Sequence, residues 1–148
     1  MSLKTPQSIS AEHEELHAEL AKAIKAGGAT GKAARGVSCV LHPHFLKEEE
    51  YALPPLGLLP ALASGTALPE AAAAVEMAGR LRADLGQMLQ EHKEIALALD
   101  ALTEAAKKED EEEVVRFAEK LTLHARMEED VLYPASILIG EYLKLKRQ

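Results

Sequence analysis

Four of the six histidines in this chain stand in a repeated pattern with glutamate, and a fifth, His17, lies four residues after the first of them. His44, Glu48, Glu49 and Pro54 recur as His124, Glu128, Glu129 and Pro134, each 80 residues later. Upstream, Glu12-His13 recurs as Glu91-His92 at an offset of 79, so two similar halves, approximately 8–54 and 87–134, lie end to end. Each half brings one histidine on a first segment and a His-x-x-x-Glu pair on the next. Neutral imidazole nitrogens and carboxylate oxygens are the donors that divalent transition metals accept, and the doubled set is an inventory for two ions.

The spacing decides whether these donors can meet. Helical residues four apart differ by about 40° around the axis and about 6 Å along it. His44 therefore shares a face with Glu48, and His124 with Glu128, while Glu49 and Glu129 swing away by about 100°. His13 and His17 form another such pair. A lone histidine of this kind is most often a surface or satisfied core residue, and a lone Glu-Glu is most often solvated; the duplication separates these from the background. Leu16, Leu20, Leu89, Leu99, Leu121 and Val131 place apolar material near the same faces, which predicts that the donors point inward. Two carboxylates and several imidazoles buried together would be costly without a cation, because ionised groups lose their hydration. His42, two residues from His44, points to nearly the opposite face and is expected at the surface or behind the ligands. Cys39 is expected to be packing.

The elements that must carry these groups read as helices. Apolar residues make up 47% of the chain while only three Tyr and two Phe occur, a composition suited to a helical bundle. Apolar positions at Ile9, Leu16, Leu20 and Ile24 predict a first helix over 8–26, ended by Gly27-Gly28. Thr30 can cap a second helix to about Tyr51, kinked at Pro43 and stopped by Pro54-Pro55. The apolar connection 53–68 leads to Pro69-Glu70, which opens a long third helix to about Ala106. A fourth begins at Asp110, where Glu111, Glu112 and Glu113 suit the positive end of the helix dipole. It runs to about Tyr133, and a shorter helix follows, ending in Lys144, Lys146 and Arg147. The expected fold is all-α: an antiparallel up-down-up-down four-helix bundle with a short extra C-terminal helix, in a single domain over 1–148. So much leucine in Leu53 to Leu62 should pack over the bundle end or form a dimer contact.

These residues resemble the hemerythrin superfamily, the HHE cation-binding domains, over almost the whole chain. The resemblance implies a four-helix bundle holding a non-haem di-iron centre, oxo- or hydroxo-bridged, with five histidines and two bridging carboxylates. Manganese or zinc are possible substitutes for iron. By motif, His13, His44, Glu48, His92, His124 and Glu128 carry over. Two departures stand out. The oxygen carriers have His-x-x-x-His on the third helix, but here Ala96 follows His92, and the pair is His13 and His17 on the first. The carriers also have an aspartate five residues after the last histidine, where this chain has Glu129; Glu128 is the expected bridge and Glu129 the alternative. About 30 residues, 55–84, exceed what the carriers have between these motifs. The expected metal set is thus His13, His17, His44, Glu48, His92, His124 and Glu128. His13, His17 and His44 are expected on one ion and His92 and His124 on the other, with Ala96 marking an open position.

The resemblance implies binding or sensing of oxygen or a related small ligand such as NO, or iron handling. The enzyme alternative is a di-iron peroxidase or oxygenase, and a third reading is an interaction module with a vestigial metal site. Ferritin-like di-iron enzymes use two Glu-x-x-His motifs, and this chain has one, Glu14 to His17. A structural zinc site would close with four ligands, usually including cysteine. A net charge of −7 argues against nucleic acid or an anionic membrane as partner. One cysteine, no signal peptide and no long apolar run predict a cytoplasmic protein, with a homodimer possible.

Overall fold

The computed structural model describes residues 3–66 and 70–146, and all its regular structure among these is helical. Helix α1 (Gln7–Lys25) leads through a tight turn into α2 (Gly28–Lys47). The backbone continues as a π turn (Glu48–Ala52), a 3-10 turn (Pro54–Leu58) and a short α3 (Leu59–Ser64). Helix α4 (Ala71–Lys108) is 38 residues long, about 57 Å at the α-helical rise. Helix α5 (Glu112–Met127), a second π turn (Glu128–Leu132) and α6 (Tyr133–Lys146) then run without interruption. The bundle and the additional C-terminal helix match the sequence reading; α6 is the fourth helix carried past a π turn. The expected helix opening at Pro69 and the C-terminal Arg147 fall outside the described residues.

The turn between α1 and α2 departs from expectation. Thr30 is not the cap. Gly27 and Gly28 both have positive φ, +71° and +60°, and the orphan amides of Ala29 and Thr30 are satisfied by Glu109 from the end of α4. The Thr30 hydroxyl donates to the same carboxylate at 2.5 Å. A Cβ on Gly28 would lie 2.5 Å from Glu109 Oε2, so both the left-handed backbone and the close approach require glycine. Pro43 sits inside α2 without ending it.

Two apolar cores lie along the bundle. One gathers Leu16, Leu20, Val37, Leu41, Leu99, Leu102, Phe117 and Leu121 from α1, α2, α4 and α5. The other joins Leu53, Leu56 and Leu58 to Leu81 and Met88 of α4 and Ile139 and Leu143 of α6. The leucine-rich connection therefore packs within the chain, although Leu59 stays 43% exposed. Gly140 lets α6 approach α4 closely, since a Cβ there would stand 2.4 Å from the Ala78 methyl. Truncating any of these leucines to alanine would cost about 2–5 kcal/mol.

Val131, expected inside, is 54% exposed, and Leu89 is only half-buried. The π turns explain Val131. Each inserts one residue into the helical count, so the buried positions run Leu121, His124, Glu128, then Tyr133, with a step of five after the glutamate. The same step in the first half joins Glu48 to Leu53, whose N–H donates to the Glu48 carbonyl at 2.9 Å. The repeated prolines, Pro54 and Pro134, follow each π turn and lack the N–H that a regular α-helix would need there. Cys39, expected to pack, is exposed.

Candidate metal centre

Between the two cores, every long helix contributes a polar residue to one buried layer. Helix α1 supplies His13, α2 and its π turn supply His44 and Glu48, α4 supplies His92, and α5 with its π turn supplies His124 and Glu128; all six are buried. They resolve into two ligand groups. His44, Glu48, His92 and Glu128 form one, and His13, His124 and Glu128 form the other. The Nε2 atoms of His44 and His92 are 3.0 Å apart, and those of His13 and His124 are 3.1 Å apart.

Each carboxylate reaches both groups. Glu128 Oε1 lies 3.2 Å from His92 Nε2, while its Oε2 lies 3.1 Å from His124 Nε2. Glu48 Oε2 lies 3.5 Å from His44 Nε2, and its Oε1 lies 3.7 Å from His13 Nε2. The expected partition of histidines is thereby corrected. Each group takes one histidine from each half, because antiparallel helices bring the first helix of one half against the second helix of the other.

His17 is not in either group. It is half-buried on α1 and meets Phe45 edge-on at 5.0 Å, while Phe45 stacks flat on His13 at 4.2 Å. The Phe45 ring thus stands where His17 would have to pass to join the ligands. His42 is exposed, 6.2 Å from the His17 ring. Ala96 lines a surface cleft beside His92. Glu129 is exposed, with one oxygen 3.6 Å from His92 Nδ1, whereas Glu128 is 1% exposed.

Behind the histidines lies a ring of carboxylates that accounts for the rest of the duplicated motif. His44 Nδ1 donates to Glu91 at 2.8 Å, and His124 Nδ1 to Glu12 at 2.5 Å. Glu49 stands 3.9 Å from His13 Nδ1, in the place that Glu129 takes beside His92. The hydrogen bonds to Glu91 and Glu12 fix the tautomer of His44 and His124, leaving Nε2 free to ligate. The glutamate before each first histidine orients the histidine of the other half.

Tyr133 is the functional residue that sequence reasoning missed. Its hydroxyl donates to Glu48 Oε2 at 2.5 Å and lies 3.2 Å from the Nε2 atoms of both His44 and His92. Regular α periodicity turns position 133 away from the face of His124 and Glu128; the π turn brings it back. The signal in the sequence was the pairing of Tyr133 with Leu53 immediately before the repeated proline.

The charges of the layer show what it can hold. Burial and the Glu128 charge raise Glu48 well above the ordinary carboxylate range. Glu128 is also buried, but its polar contacts with Glu48 and with the site histidines, His124 Nε2 at 3.1 Å among them, outweigh that burial and hold it well below. Two carboxylates buried this close together do not both carry charge at low cost unless positive charge stands between them. Burial opposes charge on His44 and His124, yet hydrogen bonds to Glu48 and Glu91, and to Glu128 and Glu12, raise both to about 9. Burial and the two site carboxylates push the Tyr133 phenol far up. Glu48 Oε1 is buried without a hydrogen-bond partner. Convergent Nε2 atoms and an orphaned carboxylate oxygen fit a cation, and the imidazole–carboxylate mixture suits iron, manganese or zinc.

The Hemerythrin HHE cation binding domain model matches residues 5–136. The chain belongs to the hemerythrin HHE family. All six motif residues of this HHE domain lie within the matched span, and so does Tyr133. Neither curated proteins nor solved structures gave a match. No helix among the described residues is long and apolar enough to cross a membrane.

Proposed function

We propose that this HHE domain holds two iron ions in the buried layer and binds oxygen or a related small ligand such as nitric oxide there. The carrying observation is that Glu48 and Glu128 each present one oxygen to the His44/His92 side and the other to the His13/His124 side. Iron, when bound, would supply the redox-active, ligand-accepting centre. His44, His92, Glu48 and Glu128 would hold one ion, and His13, His124 and the same two carboxylates the other. Glu91 and Glu12 keep Nδ1 protonated on His44 and His124, so that both rings present Nε2 inward. The apolar cores on either side exclude water from the layer.

The two ions would be unequal. Tyr133 crowds the His44/His92 side, whereas no hydroxyl stands within hydrogen-bond distance of the His13 or His124 Nε2 atoms among the described residues. The open position is therefore assigned to the His13/His124 side. A peroxidase or oxygenase reading gains support from Tyr133, because its Oη can hold or release a proton at Glu48 Oε2. Aerobic purification with metal analysis and an absorption spectrum tests the proposal. About two irons per chain, with ligand-to-metal absorption that changes on adding azide, is the expected result. A normally folded protein without metal would overturn it in favour of an interaction module, and turnover of hydrogen peroxide lost in Tyr133→Phe would favour the enzyme reading.

A further inference from the structure

The two halves differ most where rings are missing. Phe45 lies over His13 with 5° between the planes, and His17 and His42 close the space behind it. The repeat offsets carry His13, His17, His42 and Phe45 to His92, Ala96, Thr122 and Ala125. In place of those rings the second half has a cleft of about 190 Å³ lined by these four residues, with Arg126 and Glu129 at its rim.

Its chemistry limits what fits. A cavity of about 150 Å³ is enough for one benzene ring. The walls are mostly apolar, including Ile95 and Leu99. His92 is buried and its Nδ1 has no hydrogen-bond partner, with Glu129 at 3.6 Å beyond good geometry. His44 and His124 have this nitrogen occupied at 2.8 and 2.5 Å. Opposite charges on Arg126 and Glu129 favour neither an anion nor a cation.

We propose that this cleft is a binding site for a small neutral aromatic molecule with one hydrogen-bonding group, of phenol type. Its ring fills the space that the Phe45 and His17 rings fill in the other half, and its polar group bonds to His92 Nδ1. Occupancy places a ring and a hydrogen-bond partner against a layer histidine whose Nδ1 is otherwise unpartnered, and so couples the cleft to the layer. This does not depend on which metal the layer holds.

Calorimetric titration of the purified protein with phenol, and separately with toluene, tests it while the visible spectrum is followed. One saturable phenol site is expected, with toluene at least tenfold weaker and no new absorption band. Ala125→Phe and Ala96→His should each weaken phenol at least tenfold with metal content unchanged. Thermal melts identify a misfolded variant, and phenol located by crystallography decides if both misfold. No saturable site, equal affinity for toluene, indifference to both variants, a phenolate–metal band, or phenol found outside the cleft would each overturn the proposal.

Discussion

The first and second halves of this chain carry the same inner histidines and glutamates and different surroundings. His13, His44 and Glu48 match His92, His124 and Glu128, and the carboxylates Glu12 and Glu91 cross to the opposite half in the same way. The outer residues break the match. Tyr133 faces the layer where its counterpart is Leu53, and Phe45 stacks on His13 where Ala125 brings no ring to His92. Lys47 anchors Glu91 at 2.6 Å with help from Gln87, but the counterpart of Lys47 is Met127. Glu91 is accordingly 13% exposed and Glu12 39%. Duplication provides two similar half-sites, and the residues around them make the two unequal.

The largest effect should come from breaking what the halves share. Glu48→Ala or Glu128→Ala should abolish binding of two metals, since each carboxylate serves both groups. Chelation of the wild type should lower the melting temperature, because metal that binds only the folded state stabilises by about 2.7 kcal/mol at a hundred times its dissociation constant. Metal analysis and melting curves measure both; two metals retained in either variant would contradict the shared bridge, and an unchanged melt after confirmed metal loss would contradict stabilisation by metal.

The next effect separates the halves. Glu91→Gln and Glu12→Gln should each weaken metal binding by about 10–100-fold, acting through His44 and His124 respectively. Glu91 is the more firmly held, through Lys47, so its loss should be the greater of the two. Stepwise metal titration with a competing chelator reads the difference; equal losses would remove the inequality argued from Lys47.

Tyr133→Phe tests the inequality at the layer itself. It deletes the hydrogen bond to Glu48 Oε2, leaving a buried acceptor unsatisfied at a cost of about 1–3 kcal/mol in the metal-free protein. Leu53→Ala should also destabilise, but by opening a cavity and without touching the spectrum of the metal-loaded protein. Spectra that shift for both variants, or for neither, would erase the distinction.

The smallest effect lies at the seam between halves. Hydrogen bonds from Thr30 and Ala29 hold Glu109 below the ordinary carboxylate value of 4.5. A depressed carboxylate stabilises above its unfolded pKa, and that contribution fades as pH falls through the folded value. Glu109→Gln should therefore lower the melting temperature slightly at neutral pH, with the gap to wild type closing below pH 4.5. A gap independent of pH would assign the cap to shape alone.

The sequence by itself determined the helices and the histidines and glutamates that meet in the buried layer. Both are local: four-residue spacing puts His44 with Glu48 and His124 with Glu128 on one face whatever the helix packs against. It also marked Glu12, Glu49, Glu91 and Glu129, as parts of the repeat, without showing what they hold. Tertiary structure decided which histidines share a group, because that depends on which helices lie antiparallel. It placed His17 outside both groups, since an i, i+4 pair fixes direction but not what stands in front, here Phe45. It admitted Tyr133 and turned Val131 outward, because one extra residue in a π turn rotates everything beyond it by about 100°. Local periodicity carries across a regular helix and fails at the first irregular turn, and in this protein those turns directly follow the ligands.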